Sequence, residues 1–102
     1  MKNDVHLHET HWSMLEHGQR MTGWLTKALQ QRTIDVGTIQ LLFDESVEYL
    51  DYVTQMIDAV NHSSIKGEKR DDLLDISVIS RQHGLLVQAR IRKLGYKIKE
   101  WH

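Results

Sequence analysis

Two pairs of acidic residues at helical spacing are the first candidates for chemistry in this 102-residue chain. Glu45 and Glu48 lie three residues apart, and so do Asp72 and Asp75. Residues three apart are neighbours on one face of an α-helix, so each pair presents two carboxylates to the same side. If the two helices are antiparallel neighbours, the four carboxylates could bind Mg²⁺ or Mn²⁺, which prefer oxygen ligands. A metal bound there could neutralise a polyphosphate and activate water for hydrolysis.

The order of these acids resembles the all-α nucleoside triphosphate pyrophosphohydrolases of the MazG-like family. That family carries Glu-Glu-x-x-Glu, a helix turn, and then Glu-x-x-Asp. The corresponding segments here are Asp44-Glu-Ser-Val-Glu48 and Asp72-Leu-Leu-Asp75, with Asp at two positions where the family has Glu. The match covers about a third of the chain. The resemblance implies that Glu45, Glu48, Asp72 and Asp75 bind Mg²⁺ and that the protein releases pyrophosphate from a nucleoside triphosphate.

The same acids also have an interpretation that needs no metal. The apolar spacing of the second helix puts Glu48 on the side opposite the apolar residues, which is typical of a solvated outer face. Asp72 shares a face with Ile76, Ile79 and His83, so we expect a half-buried carboxylate that needs a partner. A Lys, an Arg or His83 would serve as well as a metal. We therefore treat the Mg²⁺-dependent pyrophosphohydrolase as the alternative hypothesis, and a binding function, described next, as the favoured one.

The basic C-terminal stretch is the second candidate. Six basic residues follow residue 80, with Glu100 as their acidic counterpart and two aromatic residues among them: Arg81, Arg90, Arg92, Lys93, Lys97 and Lys99, with Tyr96 and Trp101. Cations beside aromatic rings can bind phosphates and stack on bases, although cations in a last turn also complement the helix dipole. We expect an anionic ligand, a nucleic acid or an acidic protein to bind at Arg81, Arg90, Arg92, Lys93 and Trp101.

Four histidines near the N-terminus, His6, His8, His11 and His17, are the third candidate. Imidazole binds Zn, Ni, Cu and Fe, and His8 and His11 are three residues apart. The sequence lacks the His-Glu-x-x-His pattern of zinc hydrolases. Exposed histidines without a specific ligand are the other interpretation, and we favour it.

Three long helices must position these residues. The chain contains no Pro, which is the strongest helix breaker, and no Cys, which excludes disulfides, thiol nucleophiles and Cys-ligated zinc. Apolar spacing predicts helices over about 4–31, 36–61 and 69–94, and a short tail over 95–102. Asp35 should cap the second helix, and Gly95 should end the third in a left-handed conformation. We therefore predict a single all-α domain over residues 1–102.

The second helix carries the most regular apolar pattern. Its residues alternate steps of four and three: Ile39, Phe43, Ser46, Leu50, Val53, Ile57 and Val60. Such a seam is either an interface with another chain or an ordinary intramolecular core. The third helix has apolar residues on more than one face, so we expect it to be the most enclosed. Three helices of roughly 35–40 Å each make a thin monomer, so we predict a homo-oligomeric helical bundle.

Charge is distributed unevenly along the chain. The formal net charge is −1, but residues 1–62 carry four basic and nine acidic residues, whereas residues 63–102 carry nine basic and five acidic residues. We see no apolar run of signal-peptide or membrane-spanning length, so we expect a cytoplasmic location and no membrane partner. The function we favour is a small helical binding or regulatory protein that needs no cofactor and uses its basic C-terminal face.

Overall fold

A computed structural model describes residues 2–95, with side chains from residue 6 onward. These residues form three α-helices and no β-strand: α1 (Lys2–Leu29), α2 (Val36–Asn61) and α3 (Glu68–Lys93). The predicted all-α fold with three long helices is confirmed. α1 begins and ends two residues earlier than the predicted 4–31, and α3 lies one residue earlier than the predicted 69–94.

The helix ends follow from local chemistry. The Asp35 carboxylate accepts hydrogen bonds from the Gly37 backbone N–H at 2.9 Å and from the Thr38 hydroxyl at 3.0 Å, which caps the start of α2. Gly67 precedes α3 with φ 70°, and Gly95 follows it with φ 72°. Both angles lie in the left-handed region, which Gly adopts without steric cost. The predicted roles of Asp35 and Gly95 are confirmed.

α1 and α3 run parallel to each other. The Thr22 hydroxyl lies 3.3 Å from His83 Nδ1, and four residues later the Thr26 hydroxyl accepts from Arg90 Nη1 at 3.2 Å. Residue numbers therefore increase together along the two helices. This direction places the C-termini of α1 and α3 at the same end of the bundle.

α2 runs antiparallel to both. The Tyr49 hydroxyl donates to the Met14 carbonyl at 2.7 Å. The next contact joins His17, later in α1, to Glu45, earlier in α2, so residue numbers rise in one helix as they fall in the other. Against α3, Arg70 donates to Asn61 at 2.6 Å, and near the other end Arg92 lies over Phe43. The bundle is thus up-down-up and measures 50 × 26 × 18 Å.

The core lies along the axis of the bundle. All three helices contribute buried apolar side chains: Met14, Met21, Leu25, Ile39, Leu42, Phe43, Tyr49, Val53, Met56, Val87 and Ile91. Five of the seven residues of the predicted α2 seam are buried, and the other two, Leu50 and Ile57, are half-buried. Of the two interpretations of that seam, the structure therefore supports the intramolecular core.

The outer face of α3 is an exception to the predicted pattern. Val78, Ile79, Leu85 and Leu86 keep 43–53% of their surface exposed. The expectation that α3 is the most enclosed helix is wrong for the single chain. The buried side of α3 packs on α1 and α2. Its second apolar side faces solvent, because a three-helix bundle has no further helix to cover it.

No helix within residues 2–95 combines the length and the apolar character that a membrane-spanning segment needs.

Candidate basic binding end

One end of the bundle collects basic side chains from two separate parts of the chain. The C-terminus of α1, the start of α2 and the C-terminus of α3 meet there. The segments 26–38 and 89–95 carry five exposed basic residues, Lys27, Arg32, Arg90, Arg92 and Lys93. Their single acidic residue is Asp35, whose carboxylate caps α2. We call these five residues the basic end.

Two of the three cations of α3 contact different helices. Arg90 reaches α1, where it donates to Thr26. The Arg92 guanidinium lies 5.9 Å from the centroid of the Phe43 ring on α2, a distance at which a cation is attracted to the aromatic face. Lys93 is exposed. Arg90 and Arg92 therefore extend towards different neighbouring helices at this end of the bundle.

Of the predicted ligand-binding residues, one lies away from the basic end and another lies outside the described residues. Arg81 is exposed but lies eleven residues before Arg92, which corresponds to roughly 16 Å along the helix axis. Trp101 lies outside the described residues, as do Tyr96, Lys97 and Lys99. In their place the structure adds Lys27 and Arg32, which sequence reasoning missed. An up-down-up arrangement, inferred from the short connections between helices, would have indicated them.

The opposite end of the bundle is acidic. It is formed by the start of α1, the end of α2 and the start of α3. The segments 2–12 and 56–75 that meet there carry seven acidic and four basic residues. This difference between the two ends does not follow the predicted division of the chain into an acidic and a basic half, because both halves contribute to both ends. Four of the seven acidic residues at this end belong to the basic half: Glu68, Asp71, Asp72 and Asp75.

The four carboxylates of the metal hypothesis do not form a common site. Glu48, Asp72 and Asp75 are exposed, and Glu45 Oε1 lies 3.0 Å from His17 Nε2. The expectation of a half-buried Asp72 is wrong, because its position on α3 turns towards solvent. Within the described part of the chain, no three His, Asp or Glu side chains are grouped so that they could bind a metal.

This arrangement does not fit an Mg²⁺ site, and no hydrolytic step follows from it. The pyrophosphohydrolase activity stays a prediction from the sequence. So does a transition metal at His6, His8, His11 and His17. The structure places His11 and His17 in protein environments that the sequence did not predict.

His17 lies in a cluster of aromatic side chains at the α1–α2 junction. Its ring is 5.5 Å from the Tyr49 ring and meets Trp24 edge-on at 6.1 Å, both measured between centroids. The Glu45 carboxylate lies beside these rings, in contact with His17 Nε2. No sequence signal pairs His17 with Glu45. The two residues are 28 positions apart on different helices, so their contact depends on how α1 and α2 pack.

His11 is completely buried, in contrast to the predicted exposed histidines. Its Nδ1 donates to the Leu7 carbonyl at 2.7 Å, while Nε2 has no hydrogen-bond partner among the described residues. Burial lowers the pKa of His11, since the charged form would lose its hydration; the Leu7 contact opposes this and nearby His8 adds to it.

No protein-family model, no curated protein and no solved structure matches this chain.

We expect His11 to make the protein sensitive to mild acid. Its pKa is lowered in the folded state, so the stability due to neutral His11 is complete above the unfolded-state pKa of about 6.5. That stability is lost as the pH falls from there through the folded-state pKa, because the unfolded chain binds the proton more readily. Urea unfolding at pH 7.5 and pH 5.0 should show a smaller decrease for His11→Phe than for the unmodified protein.

The same substitution at exposed His6 is the matched control for this prediction. His6→Phe should keep the full decrease in stability between the two pH values. An equal decrease in His11→Phe and His6→Phe would show that His11 is not responsible.

Proposed function

We propose that this protein is a small helical binding protein that engages an anionic ligand or acidic macromolecular partner through its basic end. The observation that carries the proposal is the convergence of Lys27 and Arg32 with the three cations of α3 at one end of the bundle. These cations belong to segments about sixty residues apart in sequence. Their juxtaposition concentrates positive charge on a protein whose net charge is −1.

Much of this positive charge is not neutralised within the protein. Lys27, Arg32 and Lys93 form no ion pair with any carboxylate in the described part of the chain. The acidic end does not cancel their field, because the molecule is 50 Å long and the screening length at physiological salt is about 8 Å. The uncompensated charge would attract anions and accelerate their association.

The arginines suit phosphate or carboxylate groups. A guanidinium can donate two parallel hydrogen bonds to either group, and its planar shape limits the entropy lost on binding. Arg90 is already restrained by Thr26, and Arg92 by the Phe43 ring. Both side chains are therefore partly organised before a ligand arrives.

Binding experiments with three anionic probes test the proposal: ATP, a single-stranded oligonucleotide and poly-glutamate. Titration calorimetry should detect binding of at least one probe, with an affinity that falls steeply between 50 and 200 mM salt, as expected of charge-driven binding. The double variant Arg32→Ala/Arg90→Ala should bind roughly tenfold more weakly, since two partly exposed charge contacts contribute on the order of 1 kcal/mol together or somewhat more.

The matched control removes two exposed cations from the other end, Lys66→Ala/Lys69→Ala. This variant has the same net charge as the first but keeps the basic end, so its affinity should be close to that of the unmodified protein. Equal weakening in both double variants would show that only net charge matters. No binding of any probe would contradict the proposed function.

Self-association is the second part of the proposal. A bundle 18 Å across in its thinnest direction leaves large apolar side chains at the surface, and α3 carries four of them on one side. Exposed apolar patches of this kind are typical of interaction surfaces. We propose that the protein works as a homo-oligomer.

A further inference from the structure

The outer face of α3 has an apolar centre. Val78 and Leu85 are seven residues apart, as are Ile79 and Leu86, so both pairs repeat after two helical turns and lie on one side of the helix. All four side chains are exposed in the single chain. Gln82 lies between the two pairs in sequence and is exposed on the same side.

Charges of opposite sign flank this centre. Asp71 and Asp75 precede it and Lys93 follows it, each at a position that continues the steps of three and four residues along the outer face. All three side chains are exposed. The face therefore reads, from its start to its end, as acidic, apolar and basic.

We propose that this face binds the same face of a second copy of the chain, with the two α3 helices antiparallel and a two-fold axis at Gln82. In this register, Val78 lies opposite Leu86 of the second copy and Ile79 opposite Leu85. Asp71 lies opposite Lys93. The inference rests on the proposed self-association, and it adds the surface, the direction and the register.

Charge complementarity determines the direction. An antiparallel pair brings the acidic start of one α3 against the basic end of the other, twice per dimer. A parallel pair would instead place Asp71 beside Asp71 and Lys93 beside Lys93, and like charges at a helix interface are unfavourable. A two-fold contact of either direction covers both apolar faces in one closed contact, whereas a head-to-tail contact between two different faces leaves one apolar face free.

The interface leaves a large part of the basic end accessible. It uses Lys93, but Lys27 and Arg32 belong to α1 and to the connection after it. Arg90 reaches α1 through Thr26, away from the centre of the α3 outer face. In the dimer the two basic ends lie at opposite ends of the assembly, so two anionic ligands could bind independently.

Light scattering after size exclusion tests the surface. The unmodified protein should have the mass of a dimer, and Leu85→Glu should raise the dimer dissociation constant at least about tenfold, because it places a charge in the apolar centre. Leu41→Glu is the matched control: Leu41 is 70% exposed, but on α2. This variant should remain dimeric. Circular dichroism should show the same helix content in all three proteins.

Charge exchange tests the direction. Asp71→Lys should weaken the dimer, since it places a lysine opposite Lys93 at both ends of the interface. Adding Lys93→Asp to the same chain should restore association. A parallel dimer would not show this rescue.

Cysteine cross-linking tests the register and is specific because the chain has no Cys of its own. A mixture of Val78→Cys and Leu86→Cys chains should form mixed disulfide dimers under mild oxidation. Val78→Cys alone should cross-link much less, because its two copies would be about 12 Å apart along the helices.

The outcomes separate this inference from the proposed function. A purely monomeric unmodified protein would contradict both the self-association and the α3 interface, while leaving anion binding to its own test. A dimer that persists unchanged in Leu85→Glu would contradict the α3 interface alone. Cross-linking of Val78→Cys by itself, as efficient as that of the mixture, would overturn the antiparallel register.

Discussion

Replacing Tyr49 with alanine should lower the free energy of unfolding by about 3–5 kcal/mol, the range seen for buried aromatic side chains. Tyr49 is 4% exposed, and its ring lies between α1 and α3. Its neighbours there are Gly18 and Gly84, which have no side chains to fill the space that the ring would leave. The substitution also removes the hydrogen bond to the Met14 carbonyl.

Chemical denaturation followed by circular dichroism measures this effect. Tyr52→Ala is the matched control, since Tyr52 is 40% exposed on the same helix and should lose under about 1 kcal/mol. Should Tyr49→Ala fail to fold, Tyr49→Phe keeps the ring and loses only the hydroxyl, with an expected cost of about 0.5–1.5 kcal/mol. Similar losses for Tyr49→Ala and Tyr52→Ala would contradict a central role for Tyr49.

Gly84→Val should destabilise the protein by about 1–3 kcal/mol, although valine is a better helix former than glycine. A Cβ atom on Gly84 would lie 2.7 Å from Leu50 Cδ2 and 3.2 Å from Tyr49 Cδ2. Two further methyl groups cannot enter this space unless the side chains of Leu50 and Tyr49 shift or α2 and α3 move apart. The glycine is therefore required for close approach of the helices.

Gly23→Val is the control for the same substitution in a helix. A Cβ on Gly23 would meet nothing within 4 Å, so the variant should change the unfolding free energy by no more than about 0.5 kcal/mol. Thermal and urea unfolding of the two variants side by side provide the measurement. A Gly84→Val variant as stable as Gly23→Val would show that the space beside Gly84 adjusts at little cost, and would contradict the requirement for glycine.

Tyr49 and Gly84 also mark the limit of what apolar spacing could predict. The regular seam of α2 predicts Leu50 as a core residue, and the structure buries its neighbour Tyr49 more completely. Burial raises the pKa of the Tyr49 phenol, because the charged form would lose its hydration. A tyrosine can occupy this place because two glycines face it, one from each of the other helices. Spacing within one helix does not reveal that coincidence.

At the basic end, too, the sequence predicts some of the residues, whereas others depend on how the helices pack. Arg90, Arg92 and Lys93 could be selected from the sequence because they are close together in one helix. Lys27 and Arg32 could not, since their proximity to α3 depends on the direction of the chain. The acid pairs Glu45/Glu48 and Asp72/Asp75 were correctly placed on helices, yet the packing leaves three of these four side chains exposed and brings Glu45 to His17 instead.

The sequence by itself determined the three helices, the cap at Asp35 and the left-handed Gly95, because these depend on hydrogen bonds and apolar periodicity over a few residues. The tertiary structure decided which helices run parallel, which polar groups are buried and which cations share one end. These properties depend on contacts between residues far apart in the chain. Periodicity shows that a helix has an apolar face, but the shape of the facing side chains determines what that face packs against.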